Sequence, residues 1–152
     1  MPRPRKWRIV EFIPEDLHFV PHGRRRCQLE EEVLKVEEIE AVRLKDLVGL
    51  NQDECAERMQ VSRQTFQRIL TDARIKIARA LIEGRAIRAA GGDFTRHVCR
   101  VHCPRCNKDW EESYEKFKTE RNDYRCPKCG SGDITCCGRK KGGSCKNENC
   151  HP

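Results

Sequence analysis

The side chains with the clearest capacity for chemistry are cysteines near the C-terminal end. Nine of the eleven cysteines follow residue 98, and four of these form two pairs that are 19 residues apart: Cys103, Cys106, Cys126 and Cys129. In each pair two residues separate the thiols, so one tight turn can offer both sulfur atoms to a tetrahedral ion. The spacing predicts a four-cysteine zinc site, and the Cys-Pro-x-Cys context is similar to the knuckles of a zinc ribbon.

A zinc site of this kind is expected to be structural. Four thiolates fill the coordination sphere and leave no position for water, so the quartet gives no indication of hydrolytic chemistry. The alternative is a pair of dithiol redox couples. Two matched pairs, without a thioredoxin-like βαβ pattern, argue against it.

A second group of potential ligands lies at the end of the chain. Its members could hold a second zinc ion or an iron–sulfur cluster: Cys136, Cys137, Cys145, Cys150 and His151. Their spacings match no established ligand pattern, so a thiol-bearing basic tail is the open alternative.

A different chemistry is indicated by basic and amide side chains on a predicted helix that begins after Ser62. Apolar residues recur at three- and four-residue steps from Phe66 to Leu81, which predicts that one face of this helix is buried. The opposite face and its flank carry the candidate DNA contacts: Arg63, Gln64, Gln67, Arg68, Thr71 and Arg74. Arginine can donate twice to guanine and glutamine suits adenine, so this surface predicts base reading in the major groove.

The elements before this helix must hold it in place. One helix is predicted from about residue 37 to residue 48, and the next begins at Asn51, which forms a capping box with Glu54. Two helices joined by a short connection, with polar residues at the start of the second, predict a helix-turn-helix. A three-helix bundle with an ordinary polar face is the alternative. Segment 62–71 contains no acidic residue, which favours DNA binding.

The N-terminal arm is a further candidate for DNA contact. Arg3, Arg5 and Lys6 follow or flank prolines and have no acidic neighbour. Arms of this kind contact phosphates or insert arginine into a narrow minor groove. The alternative is a basic terminus without a single target.

A second apolar stripe lies nearly opposite the first on the predicted reading helix. It consists of Ile75, Ala78 and Ile82, and a helix that is apolar on two sides is expected to pack on two sides. The stripe predicts a homodimer contact, unless residues 9–20 or 86–98 of the same chain cover it.

Composition and charge narrow the function classes. The 152 residues carry a net charge of +7, distributed as +4 over 1–26, −6 over 27–60, +5 over 61–98 and +4 over 99–152. Such blocks favour a basic face directed at a polyanion.

No apolar run is long enough to span a bilayer and no secretory signal is present, so we expect a cytoplasmic protein without membrane association. The sequence has no phosphate-binding glycine loop, no H-E-x-x-H motif and no nucleophile–base pair, so we expect no enzymatic activity.

Several motifs, in order, resemble a known family. The stretch VEEIEAVRLKDLVGLNQDECAERMQVSRQTFQRIL is similar to the promoter-reading region 4 of sigma factors. Together with PRPRKWR at the start and ALIEGRAIRAAGGDF at the end, it resembles uncharacterised protein family 0251. The resemblance covers about residues 1–94. It implies DNA binding, which is predicted for the family, but it implies no particular set of regulated genes. The insert HGRRRCQ and the cysteine-rich extension after Gly92 depart from that pattern.

These observations predict a mainly α fold, in which a sigma region 4-like helix-turn-helix is followed by a small zinc-ribbon β-hairpin. The expected domains are residues 1–92, 98–135 and a basic tail at 136–152. The expected function is sequence-specific binding of double-stranded DNA by a transcriptional regulator. Two alternatives remain open: an accessory protein that binds RNA polymerase or RNA through the ribbon, and a regulator that responds to metal or redox state through its cysteines.

Overall fold

The computed structural model describes residues 6–119, 123–136 and 139–140. The chain divides into two compact units, unit 1 (Met1–Phe94) and unit 2 (Thr95–Pro152). Within the described residues, no helix combines the length and the apolar character that crossing a membrane requires.

The described part of unit 1 has three α-helices between short strands. The helices are α1 (Val36–Val42), which continues into a π-helical turn (Arg43–Leu47), α2 (Gln52–Arg58) and α3 (Arg63–Glu83). A 3-10 turn (Arg26–Gln28) precedes them. The strands are β1 (Arg8–Ile9), β2 (His18–Phe19), β3 (Glu31–Leu34), β4 (Ala86–Ala89) and β5 (Phe94–Thr95), whose second residue is the first of unit 2.

The strands of unit 1 form two small sheets. β1 pairs with β5, and β4 lies between β2 and β3. The pairing of β3 with β4 is parallel, with Glu32 opposite Ile87. The helices α1, α2 and α3 lie between β3 and β4 in the chain and form the crossover connection that two parallel neighbouring strands require.

Local sequence signals explain where α2 and α3 begin. The Asn51 side chain accepts the backbone N–H of Glu54 at 2.9 Å, and the Glu54 carboxylate accepts the backbone N–H of Asn51 at 2.8 Å. The Ser62 hydroxyl accepts the backbone N–H of Thr65 at 3.2 Å. Both predicted helix starts are confirmed.

Removal of the second cap gives a first testable prediction. Ser62→Ala should lower the free energy of unfolding by about 1 kcal/mol, because the first turn of α3 loses the acceptor for one of its free N–H groups. Urea denaturation followed by circular dichroism at 222 nm measures the change. Ser62→Asn keeps an acceptor and is the matched control. Equal stability of the alanine variant and the wild type would contradict the role of the cap.

The core of unit 1 lies where α1, α2 and α3 meet. It contains one buried cluster, which includes the predicted core residue Cys55: Ala41, Leu44, Cys55, Ala56, Met59, Phe66 and Leu70. The predicted apolar face of α3 is buried at Phe66, Leu70, Ala73 and Ala80. The prediction is wrong at Leu81, which is 75% exposed because α3 ends two residues later, beyond the cover of the other helices.

The described residues of unit 2 form a small antiparallel sheet and one short helix. Its elements are β6 (Val98–Cys103), β7 (Lys108–Ser113), α4 (Tyr114–Thr119), β8 (Thr135–Cys136) and β9 (Arg139–Lys140), and the sheet has the order β7-β6-β8-β9. Its core is the buried cluster Cys99, Val101, Cys103, Tyr124, Cys126 and Ile134.

The prediction of a mainly α fold is wrong. The structure is 36% helical and 23% strand, and its described residues form three sheets. The strands of unit 1 are two to four residues long, which is too short for the alternation that identifies a strand in sequence. β3 begins with two glutamates and β4 contains two alanines. Their side chains have low strand propensity, so only tertiary pairing places these segments in a sheet.

Candidate metal centre and nucleic-acid surface

Two matching turns build the cysteine cluster. The N–H of Asn107 donates to the carbonyl of Cys103, and the N–H of Gly130 donates to the carbonyl of Cys126, both at 2.9 Å. Asn107 and Gly130 both have positive φ, 55° and 69°. These residue types adopt the left-handed conformation most readily. Each turn therefore closes behind its second cysteine in the same way.

The four sulfur atoms have the spacing of a tetrahedral ligand set. All lie within 4.8 Å of one another. The Sγ atoms of Cys103 and Cys129 are 3.6 Å apart, as are those of Cys106 and Cys126. Zinc–sulfur bonds of about 2.3 Å would place the sulfurs about 3.8 Å apart, whereas a disulfide needs about 2.05 Å. The quartet could hold a metal ion, and the residues present fit zinc.

The environment of the quartet favours thiolate formation at one of its members. Burial opposes ionisation of Cys126, but backbone hydrogen bonds from Cys129 and Lys128 and contacts with neighbouring thiols lower its pKa to about 6. Burial and contacts with the other three thiols raise the pKa of Cys106 to about 12. The contacts between thiols thus shift the pKa values of Cys106 and Cys126 in opposite directions, as expected for interacting groups that share one site.

A buried polar network supports the second turn. Tyr124, two residues before Cys126, donates to the carboxylate of Glu112 at 2.6 Å and accepts the indole N–H of Trp110 at 3.0 Å. Lys116 pairs with the same carboxylate at 3.2 Å. Sequence reasoning missed Glu112, because nothing in a charged hairpin strand signals that one of its acids is buried.

The predicted second metal group lies largely outside the described residues. This holds for Cys137, Cys145, Cys150 and His151. Cys136 lies in β8, half-buried against the core of unit 2.

The predicted base-reading residues share the exposed end of α3. Arg63, Gln64, Gln67, Arg68 and Thr71 are all exposed. The buried residues Phe66 and Leu70 hold the opposite face of these turns against the core. The Thr71 hydroxyl donates to the backbone carbonyl of Gln67 at 2.8 Å, which orients its side chain along the helix.

The outer predicted contacts have different environments. Arg74 is held by Asp46, with an Nε–Oδ2 distance of 3.1 Å, and this hydrogen bond raises the pKa of Arg74. Lys6 is exposed. Arg3 and Arg5 lie outside the described residues.

Unit 1 also contains four buried glutamates that sequence reasoning did not single out: Glu32, Glu37, Glu38 and Glu40. Most of them pair with cations. Glu38 pairs with Lys76 at 2.8 Å and Glu40 pairs with Arg43 at 2.8 Å. The acidic block 27–60 is thus partly internal. The available signal was the three-residue spacing from Glu37 to Glu40 in an otherwise apolar helix.

Comparison with known proteins covers both units. The family described as protein of unknown function DUF134 matches residues 1–97, and the domain of unknown function DUF7836 matches residues 95–135. No solved structure matches the chain.

Curated relatives match over nearly the full length. The chain is 51% identical over 151 residues to a UPF0251 protein of Clostridium novyi, covering 99% of this chain and 97% of that protein. It is 52% identical over 147 residues to one of Clostridium beijerinckii, with coverages of 97% and 95%. For one of Clostridium tetani the identity is 54% over 136 residues, with coverages of 90% and 89%. The chain therefore belongs to the UPF0251 family.

Proposed function

We propose that the protein binds DNA sequence-specifically as a transcriptional regulator and reads the major groove with the first turns of α3. The observation that carries this proposal is the exposed, acid-free surface of Arg63, Gln64, Gln67 and Arg68 on a capped and firmly packed helix end. A recognition helix needs such donors at its N-terminal end, because these residues reach the base edges.

The charge distribution along α3 supports the same assignment. In its second half Lys76 pairs with Glu38 at 2.8 Å and Arg79 pairs with Glu32 at 3.2 Å. In its first half, the ion pair that the described residues give Arg63 is an exposed 3.6 Å contact with Asp53. Arg68 has no ion pair within the part of the chain that the structure describes. The cations at the start of α3 are thus available to an external anion.

We assign the contacts of α3 by their position on the helix and those of the N-terminal arm by its sequence. Arg63, Gln64, Gln67 and Arg68 contact bases, and Thr71 and Arg74 lie at the edge of the same surface. Arg3, Arg5 and Lys6 contact phosphates or the minor groove, which positions the protein without specifying sequence. The partner is double-stranded DNA, and the surface requires no catalytic chemistry.

The metal has a supporting role in this proposal. Zinc bound by the four cysteines is structural, because a closed set of four thiolates leaves no position for substrate. It stabilises unit 2, whose buried core is small.

A pair of substitutions tests this division of roles. Gln64→Ala should weaken binding to the preferred duplex by about 1–3 kcal/mol and relax its specificity, because a base contact is lost. Lys6→Ala should weaken specific and random duplexes alike and reduce the salt slope by about one. Fluorescence anisotropy titrations over a range of salt concentrations measure both effects.

The control is Gln28→Ala, which removes an exposed glutamine of the 3-10 turn. It should change neither affinity nor salt slope. If Gln64→Ala and Lys6→Ala caused equal losses on specific and random DNA, the proposed division would be wrong.

A further inference from the structure

The second half of α3 carries an apolar surface that unit 1 leaves uncovered. Ile75 is 50% exposed, Ile82 is 85% exposed, and Ala78 between them is also exposed. Their spacing of three and four residues places them in one stripe, opposite the buried Ala73 and Ala80. Within the described part of unit 1, the strands that could have covered this stripe leave it open.

We infer that this stripe is the contact surface of a homodimer, in which the two α3 helices pack antiparallel. The sizes of the side chains match across such a contact. An axis near residues 76 and 77 places Ile75 against the partner's Ala78, and the reverse contact forms by symmetry. A large side chain then meets a small one at both positions, which allows two helices to approach closely.

Charge complementarity favours a second copy as the occupant. Asp72 and Arg79 are seven residues apart, so they lie on the same flank of the stripe. In the antiparallel arrangement each Asp72 lies near the partner's Arg79. Asp72 is exposed and forms no ion pair within the described residues, while Arg79 keeps a half-exposed side chain beside Glu32. Asp72 is the one acid of α3 before Glu83.

The same arrangement leaves the start of α3 accessible. In this register residues 70–83 of the two helices overlap, and residues 63–69 extend past the end of the partner helix. Gln64, Gln67 and Arg68 therefore remain exposed. The dimer does not depend on the proposed DNA binding, since the four proposed base contacts lie outside the overlap; only Thr71 and Arg74, at the edge of that surface, fall within it.

Sedimentation equilibrium of the full chain, loaded with zinc, tests the inference. Concentrations from about 5 to 200 µM span the dissociation constants of small interfaces. Ile75→Glu should raise the dimer dissociation constant at least about 100-fold, because it buries a charge at the centre of the contact. Asp72→Lys should raise it by about 10-fold, since a like charge replaces an ion pair that occurs twice.

Two further variants keep the test decisive. Ile82→Glu changes an almost fully exposed side chain, so we expect this variant to stay folded, and circular dichroism checks that it does. A lower sedimentation mass of the folded variant then reports loss of the dimer. Phe19→Glu is the control, because Phe19 is a 57% exposed apolar residue on β2. We expect weaker dimers from all three α3 variants and an unchanged dimer from the control. A wild-type protein that stays monomeric at 200 µM, or a dimer that the α3 variants leave intact, would overturn the inference.

Discussion

Cys126→Ser should abolish stoichiometric zinc binding and unfold unit 2, while the helices of unit 1 remain folded. Cys126 is 3% exposed and supplies one of four sulfur atoms that lie within 4.8 Å of one another. Serine is a much poorer zinc ligand than a thiolate, so the substitution leaves an incomplete site around a buried polar group.

We expect a large effect because the proposed zinc ion would be the main source of stability in unit 2. Structural zinc contributes on the order of 10–16 kcal/mol in small zinc-finger peptides at pH 7. Folded domains have a net stability of only about 5–15 kcal/mol, so loss of the ion exceeds what the core of unit 2 can compensate. Removal of the ion by a chelator should have the same result as the substitution.

Metal analysis and limited proteolysis provide the measurement. The wild type should contain one zinc per chain and resist cleavage, and Cys126→Ser should be cleaved within residues 95–136 with the 222 nm signal of unit 1 retained. Cys27→Ser is the control, since Cys27 is exposed and lies in the 3-10 turn of unit 1. A serine variant that keeps one zinc, or a zinc-free wild type that resists proteolysis, would show that the quartet is not a structural metal site.

Gly92→Ala should destabilise unit 1 by about 3 kcal/mol, because the added methyl group has no space and the backbone has no strain-free conformation. Gly92 has a φ of +107°. A Cβ atom there would lie 1.8 Å from Oε2 and 2.8 Å from Cδ of Glu37. Glu37 is only 4% exposed and its Oε1 accepts the backbone N–H of Asp93 at 3.3 Å, so displacement of the carboxylate breaks this hydrogen bond.

The neighbouring glycine, Gly91, separates the cost of the backbone strain from the cost of the close contact with Glu37. Gly91 also has positive φ, +72°, but a Cβ there would have nothing within 4 Å. Gly91→Ala should therefore cost only the backbone strain, about 1 kcal/mol. Urea denaturation at 222 nm compares both variants, and adding Glu37→Ala to Gly92→Ala should recover part of the loss. Equal effects of the two glycine substitutions would refute the close contact with Glu37.

The sequence predicted those features that depend on local chemistry. The starts of α2 and α3 follow from Asn51 and Ser62, whose side chains cap their own helices within three residues. The four cysteines come together because each two-residue spacing forms a turn, and one ion can join the two turns. Such signals need no knowledge of the rest of the chain.

The features that sequence reasoning missed depend on contacts between distant residues. β3 and β4 pair in parallel across more than fifty residues, so their sheet has no signature in either segment alone. In the sequence Glu38 resembles a surface acid, because its burial depends on the ion pair that it forms with Lys76 of α3. Leu81 continues the apolar period of α3, but its burial depends on where the neighbouring helices end.

Selection from genomic DNA tests the central claim most directly. Sheared DNA of the encoding organism is incubated with the zinc-loaded full chain at about 150 mM salt, where non-specific binding is weak, and the retained fragments are sequenced. We predict enrichment of a few upstream regions that share a motif, with the enrichment lost for Gln64→Ala and retained for Gln28→Ala. Uniform recovery of all fragments by the wild type would contradict base reading by α3.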